Sequence, residues 1–292
     1  MILTHRRAVL LMIFCAMLWS TAGVVTRQLE SALSFEVTFW RSLFTFLSLL
    51  VILPLFKGKL VFTHLRRGGV ALWLSGLCWS VMFTAFMVAL TLTTVANVLV
   101  VLALGPLFTA LLARMFNHHA IAPRTWFAIA LAGVGIMWMY GAQAELSAQL
   151  AGSFVALGVP LAAAINWTVV QRSQTHGEKI DLMPAVLLGA LISSALTLPL
   201  AWPLSATAHD IALLGSLGVF QLAIPCVLSV WCASKLAAPE MALLAMLEVI
   251  FGTLLAWAGA GEVPAGSVLS GGVLVIAALV MNEALGWKQR QP

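Results

Sequence analysis

Residues 68–91 read GGVALWLSGLCWSVMFTAFMVALT and contain no charged side chain. A helix that crosses the roughly 30 Å hydrocarbon core of a bilayer needs about 20 mostly apolar residues. This stretch is long enough to span, and nine further stretches have the same character. The ten predicted spans, numbered in chain order, are 8–27, 35–56, 68–91, 94–115, 124–142, 151–173, 183–203, 210–234, 239–260 and 267–287.

The composition favours the same class of fold. Of the 292 residues, 62% are hydrophobic and only 9% are charged, whereas soluble domains are about 45–50% apolar and about 25% charged. A water-soluble chain of this length could not bury so much apolar surface, so we expect an all-α integral membrane protein. Its partner is then the lipid bilayer, and the net charge of +5 does not imply nucleic acid.

The basic residues predict the orientation, because the cytoplasmic loops of membrane proteins are rich in Lys and Arg. With the N-terminus inside, only Arg27 and Arg41 of the 15 basic residues fall on the outer side. The other thirteen fall on the inner side: Arg6, Arg7, Lys57, Lys59, Arg66, Arg67, Arg114, Arg124, Arg172, Lys179, Lys235, Lys288 and Arg290. We therefore predict a multi-pass protein with both termini in the cytoplasm.

The two halves of the chain resemble each other. The sequence GPLFTALLA at 105–113 aligns with EVIFGTLLA at 248–256, at an offset of 143 residues. The same offset pairs small residues of the following spans, Ala128 with Gly271 and Gly135 with Ala278. Five spans in each copy is an odd number, so the copies face opposite sides of the membrane. The pattern predicts a 5+5 inverted repeat, 1–145 and 146–292, with a substrate site at mid-membrane between the halves.

Short motifs make the chain similar to the EamA family of the drug/metabolite transporter superfamily. They are Ala-Met-Leu-Trp-Ser at 16–20, Phe-Trp-Arg at 39–41, the Pro-Leu-Phe and Glu-Val-Ile-Phe stretches of the two halves, and Gly261-Glu262. The resemblance implies ten spans in a 5+5 inverted repeat and a transporter in a bacterial inner membrane. Within the family the chain resembles exporters of aromatic amino acids and related compounds. We expect alternating access through a central cavity, and function as a monomer.

Glu248 lies close to the middle of the ninth predicted span, where an ionisable side chain costs at least a few kcal/mol. Ala245 and Gly252 lie on its helical face, and small residues there favour close packing, so we expect Glu248 to point into the bundle. It could carry a proton or bind a substrate ammonium group. The alternative is a structural carboxyl group that bonds the backbone of a neighbouring helix.

Tryptophans near the ends of spans are typical interfacial anchors, but Trp19 and Trp79 lie near the middles of the first and third spans, and Trp167 lies deeper than the anchors. A mid-membrane indole either bonds a buried partner or faces a cavity, and aromatic walls suit flat or cationic solutes. The predicted substrate-binding residues are Trp19, Trp79, Met82, Asn97, Asn166, Trp167, Gln221 and Glu248. For the three amides, hydrogen bonding between helices is the alternative.

Prolines within spans four, six and eight predict kinks at Pro106, Pro160 and Pro225, because each removes a backbone hydrogen bond. Arg41 and Trp40 are predicted gate or mouth residues. Arg41 lies about two turns from the outer end of the second span, where it could hold a substrate carboxylate. Snorkelling of Arg41 to the lipid headgroups, or pairing with Glu36, is the simpler alternative.

The sequence contains no HExxH pair, no GxSxG motif and no paired intramembrane aspartates, so we do not expect an enzyme. His118 and His119 have no converging ligands, and we expect no metal and no cofactor. A channel would favour rings of polar residues in a symmetric assembly. Secondary transport is therefore the predicted function, and export of other metabolites or cationic drugs is the alternative to amino acid export.

The predicted orientation can be tested with single cysteines in a variant that lacks the native ones. Ala148→Cys and Ser205→Cys should react with a membrane-impermeant maleimide from outside, whereas Thr63→Cys and Gln289→Cys should stay protected until the membrane is opened. Outside labelling at Gln289→Cys would contradict the ten-span topology.

Overall fold

The structure, a computed structural model, describes residues 3–26, 28–32, 34–58, 61–67, 69–92, 98, 101–102, 104–116, 121–140, 150–175, 181–260 and 266–290. Within these ranges the regular secondary structure is helical and no strand occurs. The predicted all-α class is confirmed. Asn97, His118, His119 and Gly261-Glu262 lie outside the described residues.

Each predicted span contains at least one helix. The helices are α1 (His5–Trp19), α2 (Thr21–Thr26), α3 (Ser34–Lys57), α4 (Val61–Arg67), α5 (Gly69–Leu92), α6 (Gly105–Phe116), α7 (Pro123–Tyr140), α8 (Leu150–Thr175), α9 (Met183–Ala201), α10 (Ala208–Ser216), α11 (Ile224–Cys232), α12 (Ala238–Ala245), α13 (Leu247–Ala260) and α14 (Gly266–Arg290). A π-helical segment, Leu217–Ala223, joins α10 to α11. The sequence analysis missed α4, which lies in the predicted link between the second and third spans.

Large apolar side chains cover the outside of the bundle. Leu55, Val70 and Phe154 are 79%, 82% and 69% exposed, which marks a surface that faces lipid. Six segments are long and apolar enough to cross a bilayer: His5–Thr26, Phe35–Phe56, Gly69–Ala89, Ala151–Ser173, Met183–Ala201 and Ala208–Cys232. Two shorter apolar helical stretches, Gly105–Phe116 and Leu269–Asn282, lie in the fourth and tenth predicted spans. The chain is a multi-pass membrane protein, and the count of ten stays a prediction.

The fifth and tenth spans, α7 and α14, pack side by side and antiparallel. The Thr125 hydroxyl donates to the Asn282 side chain at 3.0 Å near one end of the pair. The Trp138 indole donates to the Ser270 hydroxyl at 2.9 Å near the other end. Between them, a Cβ atom added to Gly135 would lie 2.8 Å from a backbone carbonyl oxygen of α14. The glycine therefore permits the close approach of the two helices.

Several other helix contacts repeat when the two predicted halves are exchanged, so that predicted span one takes the place of predicted span six and so on. α5 packs along α8, and the exchanged pair, α11 with α1, also packs together. α5 contacts α9 as the π-helical segment contacts α3, and α6 contacts α8 as α13 contacts α1. The exchange maps two further pairs, α3 with α9 and α7 with α14, onto themselves.

Two acidic side chains tie together the loops at one end of the bundle. Glu36, in the first turn of α3, accepts hydrogen bonds from the backbone N–H groups of Ser205 and Ala206 at 2.8–3.0 Å. Asp210, in the first turn of α10, accepts from the backbone N–H groups of residues 30–32 at 2.8–3.1 Å. Carboxylates that accept several N–H groups make strong, charge-assisted bonds. This carboxylate clamp joins the loop that precedes α3 to the loop that precedes α10.

The contact between α7 and α14 predicts a difference between two glycines of α7. Gly135→Leu should lower the melting temperature in detergent by several degrees, because the new side chain would displace α14. Gly133→Leu is the matched control, since a Cβ there meets nothing within 4 Å, and it should leave the melting temperature unchanged. Equal effects of the two substitutions, measured by fluorescence-detected size exclusion after heating, would contradict the packing.

Candidate functional site

A cavity of about 170 Å³ lies in the middle of the bundle. It is lined by residues of predicted spans one to four, six, eight and nine, and so by both halves of the chain. Its walls are mostly apolar. The lining residues are Trp19, Arg41, Trp79, Met82, Phe83, Phe86, Leu102, Gly105, Pro106, Thr109, Val159, Pro160, Ala163, Trp167, Gln221, Leu222, Cys226, Ala242, Ala245, Met246, Glu248 and Val249.

Interruptions in the helices meet at this cavity. α1 ends at Trp19 and a turn at Ser20 leads into α2. A turn at Met246 separates α12 from α13, and the π-helical segment interrupts the eighth span. Non-helical backbone at membrane depth is tolerated where protein or a cavity surrounds it. The cavity and the surrounding helices can therefore satisfy the backbone groups that the interruptions leave free, which lipid could not do.

The three predicted prolines lie at this level, one in the interior of a helix and two in the first turn of a helix. Pro160 is inside α8. Pro106 is the second residue of α6, and Pro225 is the second residue of α11, directly after the π-helical segment. The first turn of a helix tolerates proline because its N–H groups have no partner in the helix. Pro106 follows a turn at Leu104 and Pro225 follows the π-helical segment, so both lie beside an interruption in their predicted spans, and the kinks there stay a prediction.

Aromatic rings form one wall of the cavity. The Trp79 and Trp167 rings meet edge to face, with centroids 5.8 Å apart and planes at 89°. Phe83 lies one turn beyond Trp79 on α5, with a centroid distance of 5.6 Å. Trp19 also lines the cavity. Trp19, Trp79, Met82 and Trp167 thus all lie where a central solute would contact them.

Arg41 lines the same cavity, and its predicted role at a gate or mouth stays a prediction. Its side chain is 1% exposed, so it does not snorkel to the lipid headgroups. Its Nη2 donates to the Phe83 carbonyl at 3.1 Å, while its Nε has no hydrogen-bond partner. The predicted alternative of a pair with Glu36 is wrong, because the Glu36 carboxylate bonds to the backbone of the loop before α10.

Glu248 and Gln221 add two polar side chains to the wall. Glu248 is the second residue of α13, just after the turn at Met246, and not in the middle of an unbroken helix. Glu248 and Arg41 interact electrostatically, yet within the described ranges no ion pair joins them within 4 Å. Gln221 lies in the π-helical segment; its Nε2 donates to the Trp19 carbonyl at 3.3 Å, and its Oε1 has no partner.

Two of the predicted residues lie away from the cavity. Asn166 is fully buried and its Oδ1 accepts a 2.6 Å hydrogen bond from Ser75, so it joins α8 to α5. The Trp40 indole donates to Glu36 at 3.2 Å, which places Trp40 beside the carboxylate clamp. Asn97 lies outside the described residues.

The sequence analysis also missed part of the lining. Phe83 and Phe86 follow Trp79 by four and seven residues, so helical spacing puts all three on one face, and this signal could have identified them. Thr109, Ala242 and Cys226 carry no such signal.

All four native cysteines are buried and free. Among the described residues no group of three or more His, Cys, Asp or Glu side chains could hold a metal ion.

Comparisons with known proteins agree with this architecture. Residues 6–141 match the model of the EamA-like transporter family. A protein of known crystal structure superposes with a TM-score of 0.78 over 99% of this chain and 100% of its own, at 16% sequence identity; at that identity the likeness shows the fold alone. Among curated protein sequences none matches this chain. Residues 6–141, just under half of the chain, therefore match the EamA-like transporter family, and this match points to a membrane transporter of small solutes.

Proposed function

We propose that this protein is a secondary transporter that exports small organic solutes, amino acids foremost, across a bacterial inner membrane. The observation that carries the proposal is the central cavity, which both halves of the chain line at the level of the helix interruptions. An engineered cavity of about 150 Å³ is large enough to bind benzene. A cavity of about 170 Å³ therefore suits a solute of amino acid size.

Alternating access is supported by the helix contacts that repeat when the halves are exchanged. In inverted-repeat carriers, each half adopts in turn the arrangement of the other, so the site opens to one side and then to the opposite side. Interrupted helices such as α12 and α13 can bend at the interruption without loss of further hydrogen bonds. One chain supplies the whole cavity lining, which favours action as a monomer.

Export, and cytoplasmic placement of both termini, rest on the charge pattern and on the family resemblance. The chain's basic residues concentrate on one predicted side, and cytoplasmic loops carry such an excess. The aromatic wall formed by Trp79, Trp167 and Phe83 favours solutes with a flat ring.

Counterflow in proteoliposomes tests the proposal. Vesicles that hold excess unlabelled L-phenylalanine should accumulate external labelled L-phenylalanine transiently above the equilibrium level, because a carrier exchanges one solute for another. Ala245→Trp should abolish this overshoot, since Ala245 lines the cavity. Ala258→Trp is the matched control: Ala258 is exposed on α13, and this variant should keep the overshoot. Equilibration without an overshoot would indicate a channel and contradict the proposal.

The aromatic wall predicts a difference between two tryptophans of α5. Trp79→Ala should weaken transport of phenylalanine about two- to thirtyfold relative to leucine, because an aromatic or cation–π contact contributes roughly 0.5–2 kcal/mol. Trp73 is 54% exposed on the same helix, and Trp73→Ala should leave the transport of both phenylalanine and leucine unchanged. An equal loss for phenylalanine and leucine in Trp79→Ala would contradict an aromatic contact between Trp79 and the side chain of the solute.

A further inference from the structure

We infer that the cavity binds its solute as a zwitterion, with the carboxylate held at Arg41 and Trp79 and the ammonium group held at Glu248 and Gln221. The inference rests on the proposed function, because it assigns the substrate class and the bound orientation at the same cavity. It adds that separate side chains of the cavity bind the two charged groups of the solute.

The hydrogen-bond donors gather beside α5. Arg41 is anchored through Nη2 to the carbonyl of Phe83, and Trp79 lies one helical turn before Phe83. The Arg41 Nε and the Trp79 Nε1 are both buried without a hydrogen-bond partner. A buried donor without a partner costs free energy, so two such donors on cavity-lining residues mark a place that a solute oxygen can satisfy. A carboxylate can accept from both.

The acceptors gather around the end of α1. The Gln221 amide nitrogen donates to the Trp19 carbonyl, which leaves its Oε1 without a partner. Ser20, the next residue along the chain, lies beside Gly252, and Gly252 follows Glu248 by one helical turn. Gln221 Oε1 and the Glu248 carboxylate therefore lie near the same helix end. An ammonium group can donate to both.

The balance of charge favours a dipolar solute. The lining holds one basic side chain, Arg41, and one acidic side chain, Glu248, and no ion pair joins them within the part of the chain that the structure describes. A solute that is only a cation or only an anion can pair with one of these two buried side chains and leaves the other without an opposite charge, which is unfavourable. A zwitterion pairs both.

The test uses three ligands of nearly the same shape: L-phenylalanine, phenethylamine, which lacks the carboxylate, and 3-phenylpropionate, which lacks the ammonium group. Binding is measured by calorimetry on detergent-solubilised protein, independently of transport. Wild type should bind L-phenylalanine at least about tenfold more tightly than either analogue, since each charge-assisted contact contributes about that much or more.

Two variants should show a crossed pattern. Arg41→Gln should lose the preference for L-phenylalanine over phenethylamine but keep the preference over 3-phenylpropionate. Glu248→Gln should show the reverse. Arg6→Gln and Glu30→Gln make the same chemical changes at exposed positions and should bind as wild type does. If Arg41→Gln fails to fold, Arg41→Lys, which keeps the charge, should retain the preference over phenethylamine.

The outcomes separate this inference from the proposed function. Wild-type binding that does not distinguish the three ligands would overturn the inference, even if counterflow of L-phenylalanine succeeds. The same loss of affinity for all three ligands in both variants would also overturn it. Crossed preferences without any counterflow would support the binding orientation and contradict transport.

Discussion

The enclosure of the Arg41 guanidinium in the middle of a lipid-facing bundle is the constraint on which the centre of this protein depends. Removal of a charge from water costs several kcal/mol even after the surroundings relax. Arg41 is held by the Phe83 carbonyl, which joins α3 to α5, and Glu248 of α13 lines the same cavity. The same polar centre lets interrupted helices end there, because lipid could not satisfy their backbone groups.

Close backbone contacts hold Arg41 at this depth. A Cβ atom on Gly218 of the π-helical segment would lie 2.8 Å from the Arg41 carbonyl oxygen. Thr45 bridges the two, because its hydroxyl lies 2.8 Å from the Arg41 carbonyl and 3.0 Å from the Gly218 carbonyl. The Thr45 hydroxyl thus gives the Gly218 carbonyl a hydrogen-bond partner inside the bundle, where the π-helical segment interrupts the eighth predicted span. The glycine and the threonine thus make the π-helical segment compatible with a membrane interior.

Features that depend on a single segment of the chain could be predicted from the sequence, whereas features that depend on packing between segments could not. Apolar runs set the helices, and the depth of Trp19, Trp79 and Glu248 along those runs placed them in the cavity wall. The position of Arg41 could not be read in the same way. Its depth from the end of α3 predicts a mouth, and the structure adds that Arg41 lines the central cavity. Asn166 and Ser75 pair across two helices, and such pairing depends on packing that no single segment encodes.

The antiparallel pair of α7 and α14 joins the fifth predicted span to the last. Domains are synthesised from the N-terminus at about 5–20 residues per second, so Gly135 emerges on the order of ten seconds before the helix that covers it. During synthesis the face of α7 that carries Gly135 is therefore not yet covered by α14. Until α14 is inserted, the Thr125 hydroxyl lacks the Asn282 acceptor that it has in this structure. The contact between α7 and α14 can therefore form only late in synthesis, after the helices between them have entered the bilayer.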